Sequence, residues 1–154
     1  MYFPTGWSAG FVLAVKPGKA GESLDANAGD TRSTQIHVAW KTKRNVPKKP
    51  SLTLLGDYLF GIDDNGVATC WDAVTGNVLW NERVGGGDYS ASPVIAGGRI
   101  YFCSEAGKVV VVAAGPRYEK LAENQLDDGF MASPAVAGKA LYLRTRSHLY
   151  RIED

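Results

Sequence analysis

The run Asp63-Asp64-Asn65-Gly66 sets carboxylate and amide oxygens side by side, the donor type that calcium takes. A calcium loop, however, needs six to eight oxygens at defined spacing, so the run reads as a hairpin turn in preference to a metal site. Glu22, Asp25 and Asp30 could gather a cation only as a scattered set. His37 and His148 have no Ser or Cys around them in an order that suggests a relay, and surface positions suit both. Cys70 and Cys103 are the two cysteines, not in CxxC spacing and each inside an apolar segment, which reads as two buried free thiols. Gly85-Gly86-Gly87-Asp88 lacks the Gly-Lys-Ser/Thr ending and the following helix of a phosphate-cradling loop, and reads as a flexible connection. Lys41, Lys43, Arg44, Lys48 and Lys49 form a basic cluster suited to a solvated strand face. No residue is assigned a catalytic, cofactor or metal role on these grounds.

The elements that must carry these residues follow from composition and repetition. With 45% apolar and 21% charged residues, the chain has the makings of a soluble domain that buries a core without disulfides or metal. A net charge of +1 excludes a generally basic nucleic-acid binder, since steering requires a sustained field of one sign. The apolar run Val109 to Ala114 is far shorter than a membrane-spanning helix, and Met1-Tyr2-Phe3-Pro4 does not open a signal peptide. Eighteen glycines with seven Tyr, five Phe and four Trp favour short strands joined by tight turns.

The segment from Tyr89 to Phe102 recurs from Phe130 to Leu143, and both align backward with Ser51 to Ala68, at a period of about 41 residues. Within the best copy, strands A to D are expected at 52–55, 58–62, 67–72 and 77–83, separated by Gly56-Asp57, Asp63 to Gly66 and Thr75-Gly76-Asn77. Four antiparallel strands in such a period make a propeller blade. The expected fold is therefore all-β: a partial β-propeller of about four four-stranded antiparallel blades, the first and last incomplete. The blade units fall at 1–43 with an insertion at 17–34, 51–83, 92–125 and 133–154. In the third unit the segment from Tyr118 to Asn124 has helix-forming residues, but its place in the period assigns it to strand D, with Leu121 where the Trp80 equivalent belongs.

The stretch from Cys70 through Asp72, Thr75 and Gly76 to Trp80 resembles the tryptophan-docking motif of quinoprotein-type, PQQ-like β-propeller repeats. The resemblance implies that Asp72 caps the turn, Gly76 makes the bend and Trp80 packs between blades, with Trp40 as the matching indole one blade earlier. Gly115-Pro116-Arg117 departs from the motif in the third copy. The resemblance extends over nearly the whole chain and is similar to the C-terminal part of such a protein, the family including outer-membrane assembly lipoproteins. It implies a noncatalytic scaffold binding a protein or ligand, without a cofactor, in an extracytoplasmic location. It also implies roughly half of a ring, so the chain is a fragment of a larger propeller or is completed by self-association as a homodimer. The alternative is a portion of a PQQ-dependent oxidoreductase; its members often place adjacent cysteines beside the cofactor, a pair this chain lacks.

Propeller geometry brings the D-to-A and B-to-C connections to one face. Asp64, Tyr89, Glu105, Phe130 and Arg146 are therefore the candidate binding face, where Tyr89 and Phe130 serve as binding anchors or cap the blade core.

Overall fold

The computed structural model describes residues 1–5, 10–16 and 38–153. The expected insertion at 17–34, with Glu22, Asp25 and Asp30, lies outside the described residues, as does His37.

Fourteen strands form four antiparallel sheets among the described residues. Sheet 1 holds β1 (Tyr2–Thr5), β2 (Phe11–Val15) and β3 (Val38–Thr42). Sheet 2 holds β4 (Thr53–Leu55), β5 (Tyr58–Ile62), β6 (Val67–Asp72) and β7 (Val78–Arg83). Sheet 3 holds β8 (Val94–Ala96), β9 (Arg99–Cys103), β10 (Lys108–Ala113) and β11 (Lys120–Gln125). Sheet 4 holds β12 (Ala135–Ala137), β13 (Ala140–Arg144) and β14 (Leu149–Ile152). Strand order is sequential in every sheet, as hairpin connections dictate. Sheets 2 and 3 carry strands A to D, sheet 1 carries B to D and sheet 4 carries A to C, so the chain is a partial all-β propeller.

The third strand of a blade has sheet on both sides and a neighbouring blade on each face. Its residues accordingly run apolar without alternation, as in β10, where Val109 to Val112 are all buried. The outer strand β11 is exposed throughout. Its helix-forming side chains nevertheless extend, because pairing with β10 from Lys108↔Gln125 to Val112↔Lys120 supplies the backbone bonds that a lone short helix would have to make itself. Glu123 accepts from Lys108 and Lys120 across this surface.

Three apolar clusters fill the wedges between sheets. Val12, Leu59 and Trp71 lie between sheets 1 and 2; Phe60, Cys70, Trp80, Tyr89, Phe102 and Val110 lie between sheets 2 and 3; Cys103, Val109, Val111, Phe130 and Leu143 lie between sheets 3 and 4. A relay of serines links the segments that lead into sheets 2, 3 and 4: Ser51 N donates to Ser92 Oγ, and Ser92 N to Ser133 Oγ, each at 2.9 Å and each spanning 41 residues.

Candidate interaction face

The third-to-fourth strand turn of sheet 2 is held by one carboxylate. Asp72 Oδ1 accepts from the amides of Val74 (3.0 Å) and Thr75 (2.7 Å) and from the Thr75 hydroxyl (2.9 Å). These bonds, the Thr75 amide first, hold the Asp72 carboxyl below the usual carboxylate range. Gly76, at φ +77°, lets the chain turn back, and a Cβ there would sit 2.5 Å from the Trp40 ring. Trp40 lies across this glycine and donates its indole N–H to the Ala73 carbonyl (2.9 Å); Trp80 donates likewise to the Gly115 carbonyl on sheet 3 (2.9 Å). Each indole therefore reaches from its own outer strand onto the turn of the following sheet. Tyr2 reinforces the first such contact, with its hydroxyl also on Ala73.

The register corrects the expected third member. Cys70 pairs with Trp80 and Ala14 with Trp40, and each ladder carries a bulge one residue earlier on the outer strand. In sheet 3, Val111, which stands where Cys70 does, pairs with Ala122, and Leu121 is the bulge residue. The turn there runs from Ala114 to Glu119 against Ala73 to Asn77, one residue longer, which displaces the slot from Leu121 to Ala122.

At the end of the molecule where the B–C turns lie, the first residue of each such turn in sheets 2 to 4 closes it by a side-chain oxygen. Asp63 Oδ1 accepts from the Val67 amide (2.8 Å), Ser104 Oγ from Lys108 (3.1 Å) and Thr145 Oγ1 from His148 (3.1 Å). The following residues are Asp64, Glu105 and Arg146. Asp64 Oδ1 accepts the amides of Lys48 (3.1 Å) and Lys49 (3.2 Å). Glu105 accepts from the Ser90 hydroxyl and from Lys49 Nζ (3.1 Å), and these bonds, Ser90 first, lower its pKa. Arg146 is exposed and adds positive potential at Glu105 and at Asp128. The D-to-A connections clasp these turns: Tyr89 N donates to Asp64 O, Glu105 N to Asp88 O and Phe130 N to Ser104 O. All five expected residues thus meet at one end, but in two layers. Asp64, Glu105 and Arg146 reach the surface, whereas Tyr89 and Phe130 are 0% exposed and form its floor. They are not outward anchors in this conformation, because each ring turns into the wedge between sheets. Burial pushes the Tyr89 phenol up to about 12, and its hydroxyl has no hydrogen-bond partner.

The basic cluster splits. Lys41 and Lys43 lie over the Phe11 ring at 5.2 and 4.8 Å, whereas Lys48 and Lys49 lie in the connection reaching Asp64 and Glu105. His148 has company that sequence order concealed: its Nδ1 lies 2.8 Å from Ser147 Oγ, which donates to Asp128 Oδ2 at 2.8 Å. Serine stands in the middle of this chain, so the carboxylate does not orient the imidazole as a nucleophile relay requires. Its effect is to tie the last D-to-A connection to the last B–C turn, and the bond from Ser147 leads in lowering the Asp128 pKa.

Among the described residues, no three His, Cys, Asp or Glu side chains converge to hold a metal. Cys70 and Cys103 are free and buried in separate wedges, and burial raises both thiols to about 12, which keeps them protonated at neutral pH. No helix of the described residues is long and apolar enough to cross a membrane.

Among solved structures, BamB from Moraxella catarrhalis superposes with a TM-score of 0.69 at 16% identity, over 99% of this chain and 42% of that one. A europium-containing methanol dehydrogenase superposes at 0.56 and 14% identity, over 80% of this chain and 22% of that one. The chain spans less than half the length of either. No curated protein matches the sequence. The family model of the outer membrane protein assembly factor BamB matches residues 22–112 and 82–154. With sheets, register and repeat in agreement with that match, the chain belongs to the BamB-type family of PQQ-like β-propellers.

Proposed function

We propose that the chain is a noncatalytic PQQ-like propeller module that binds protein at the end carrying Asp64, Glu105 and Arg146, in an extracytoplasmic assembly role. The observation that carries this reading is the two-layered end face. Charged side chains of both signs stand on turns fixed by Asp63, Ser104 and Thr145, over the buried rings of Tyr89 and Phe130. Such a surface is rigid before binding, which reduces the ordering cost of association. Trp40, Asp72, Gly76 and Trp80 serve in this reading as the structural docking set that holds the blades in place. The ring is completed by further blades or by a second copy.

Calorimetry against other outer membrane assembly factors tests the reading. Reversing two charges together, Glu105→Lys with Arg146→Glu, should weaken binding at least tenfold while leaving the melting temperature within a few degrees; unchanged affinity would overturn the assignment of this face. The oxidoreductase alternative has its own readout. The described residues do not supply a convergent ligand set for a quinone-bound metal. Added pyrroloquinoline quinone with Ca²⁺ should therefore leave neither a bound chromophore nor dye-linked alcohol oxidation; either signal would favour the alternative.

A further inference from the structure

Val110 of β10 faces sheet 2 from the core of its wedge; its counterpart in β6, facing sheet 1, is Thr69, a hydroxyl at 1% exposure. A hydroxyl buried so deeply needs partners. Across the ladder Asn81 donates Nδ2 to Thr69 Oγ1 (2.6 Å), and Asn45 donates Nδ2 to Asn81 Oδ1 (2.8 Å). Asn45 stands at φ +50°, a conformation that asparagine tolerates, and this bend after β3 sets its amide beside β7. Together with Arg44 and Val78 these three side chains line a crevice of about 250 Å³ between sheets 1 and 2, sized for one side chain of a guest. The second Asn81 amide hydrogen, the Thr69 hydroxyl hydrogen and the Arg44 guanidinium have no acceptor among the described residues, and Arg44 pairs with no carboxylate there. The free hydrogen-bonding capacity of the crevice is therefore mostly donor and carries one positive charge.

We propose that this crevice takes the carboxylate of an acidic side chain on a partner polypeptide, Arg44 pairing with it while Thr69 and Asn81 donate from the floor. Sheet 3 shows what the corresponding place holds. There Glu123 stands opposite Val110, at the ladder place of Asn81, and its carboxylate accepts from Lys108 and Lys120. In sheet 2 an amide replaces that acid, Val67 and Val78 replace the two lysines, and the cation comes instead from Arg44. The cationic half of the arrangement is thus kept without its acid. A guanidinium fork matches the plane and single charge of a carboxylate, whereas a phosphate brings more charge than one arginine offsets. Asp64, Glu105 and Arg146 do not line the crevice, so this proposal and the end-face reading are tested by different variants.

The probe is the blocked peptide acetyl-Gly-Glu-Gly-amide, titrated into the ¹⁵N-labelled full chain, with acetyl-Gly-Gln-Gly-amide, acetate and inorganic phosphate as comparisons. Saturable shifts are expected at the backbone amides of Asn45, Thr69 and Asn81 and at the Asn81 side-chain amide, with affinity at least about tenfold weaker for each comparison compound. Arg44 is exposed, so Arg44→Gln should leave the melting temperature unchanged while weakening the glutamyl peptide at least about tenfold. Absent or scattered shifts, equal response to the glutaminyl peptide, or undiminished binding by the Arg44→Gln protein would each overturn the proposal. Acetate binding as tightly as the glutamyl peptide would assign the crevice to small free acids, and tighter binding of phosphate would assign it to phosphorylated ligands; either result overturns the acidic side chain as occupant. Localisation in the unmodified chain is read first, so the assignment does not depend on the variant.

Discussion

At single positions, the contacts between connections and turns set the strictest demands. The Cβ of any residue replacing Gly129 would land far inside van der Waals contact with the Glu105 carbonyl oxygen, a backbone atom with no rotamer by which to retreat. Gly129→Ala is therefore expected to cost about 2 to 4 kcal/mol in chemical denaturation, at the upper end of ordinary point substitutions. Tyr89 makes the opposite prediction. Its hydroxyl is buried without a partner, so Tyr89→Phe removes an unmet polar group and should hold or raise stability by about 1 kcal/mol, whereas Tyr89→Ala should lower it by about 3 to 5 kcal/mol through lost packing. The position of Tyr89 and Phe130 at one end was legible from the repeat. Their inward direction was not, because a loop residue's facing depends on which backbone groups clasp it, here Asp64 O and Ser104 O. Likewise Asp128 and Ser147 are nineteen residues apart, and only the fold makes them neighbours.

Among the elements, strand positions were readable because nearly every break between them carries Gly, Asn or Asp at a turn, and because the copies check one another where one, Thr145 to His148, does not. A constant offset hid the slot at Ala122: a turn absorbs an extra residue silently, and only pairing with Val111 reveals the shift. The Asp72 turn gives this level its experiment. The folded carboxyl binds its proton more weakly than the unfolded one. Its contribution to stability is therefore complete above the unfolded value near about 4 and is lost as pH falls through the lower folded value. The gap in melting temperature between the parent and Asp72→Ala should be open at pH 7 and close towards pH 2. A gap independent of pH would mean that the carboxylate does not hold the turn.

For the molecule as a whole, the terminal sheets set the behaviour. Sheet 1 exposes Met1 and Phe3, and sheet 4 exposes Leu149 at 69% and Ile152 at 49%. Apolar side chains on sheets with an open strand edge favour association. Sedimentation of the purified 154-residue chain is expected to show concentration-dependent mass reaching twice the 16.5 kDa of one chain. A lone species of one-chain mass from low to high micromolar concentration would count against a second copy as the completing partner.

The serine relay has a bearing on how such a chain can lengthen or change. The longer turn before β11 is offset by a shorter link behind it, since Val84 and Tyr89 are five residues apart but Leu126 and Phe130 only four. The count from Ser92 to Ser133 therefore stays at 41, equal to that from Ser51 to Ser92. Duplication or loss of one whole unit would rejoin the same hydroxyl to the same amide at the seam. Whole units are thus interchangeable at this contact, whereas an extra residue within a unit is taken up by the turn that holds it.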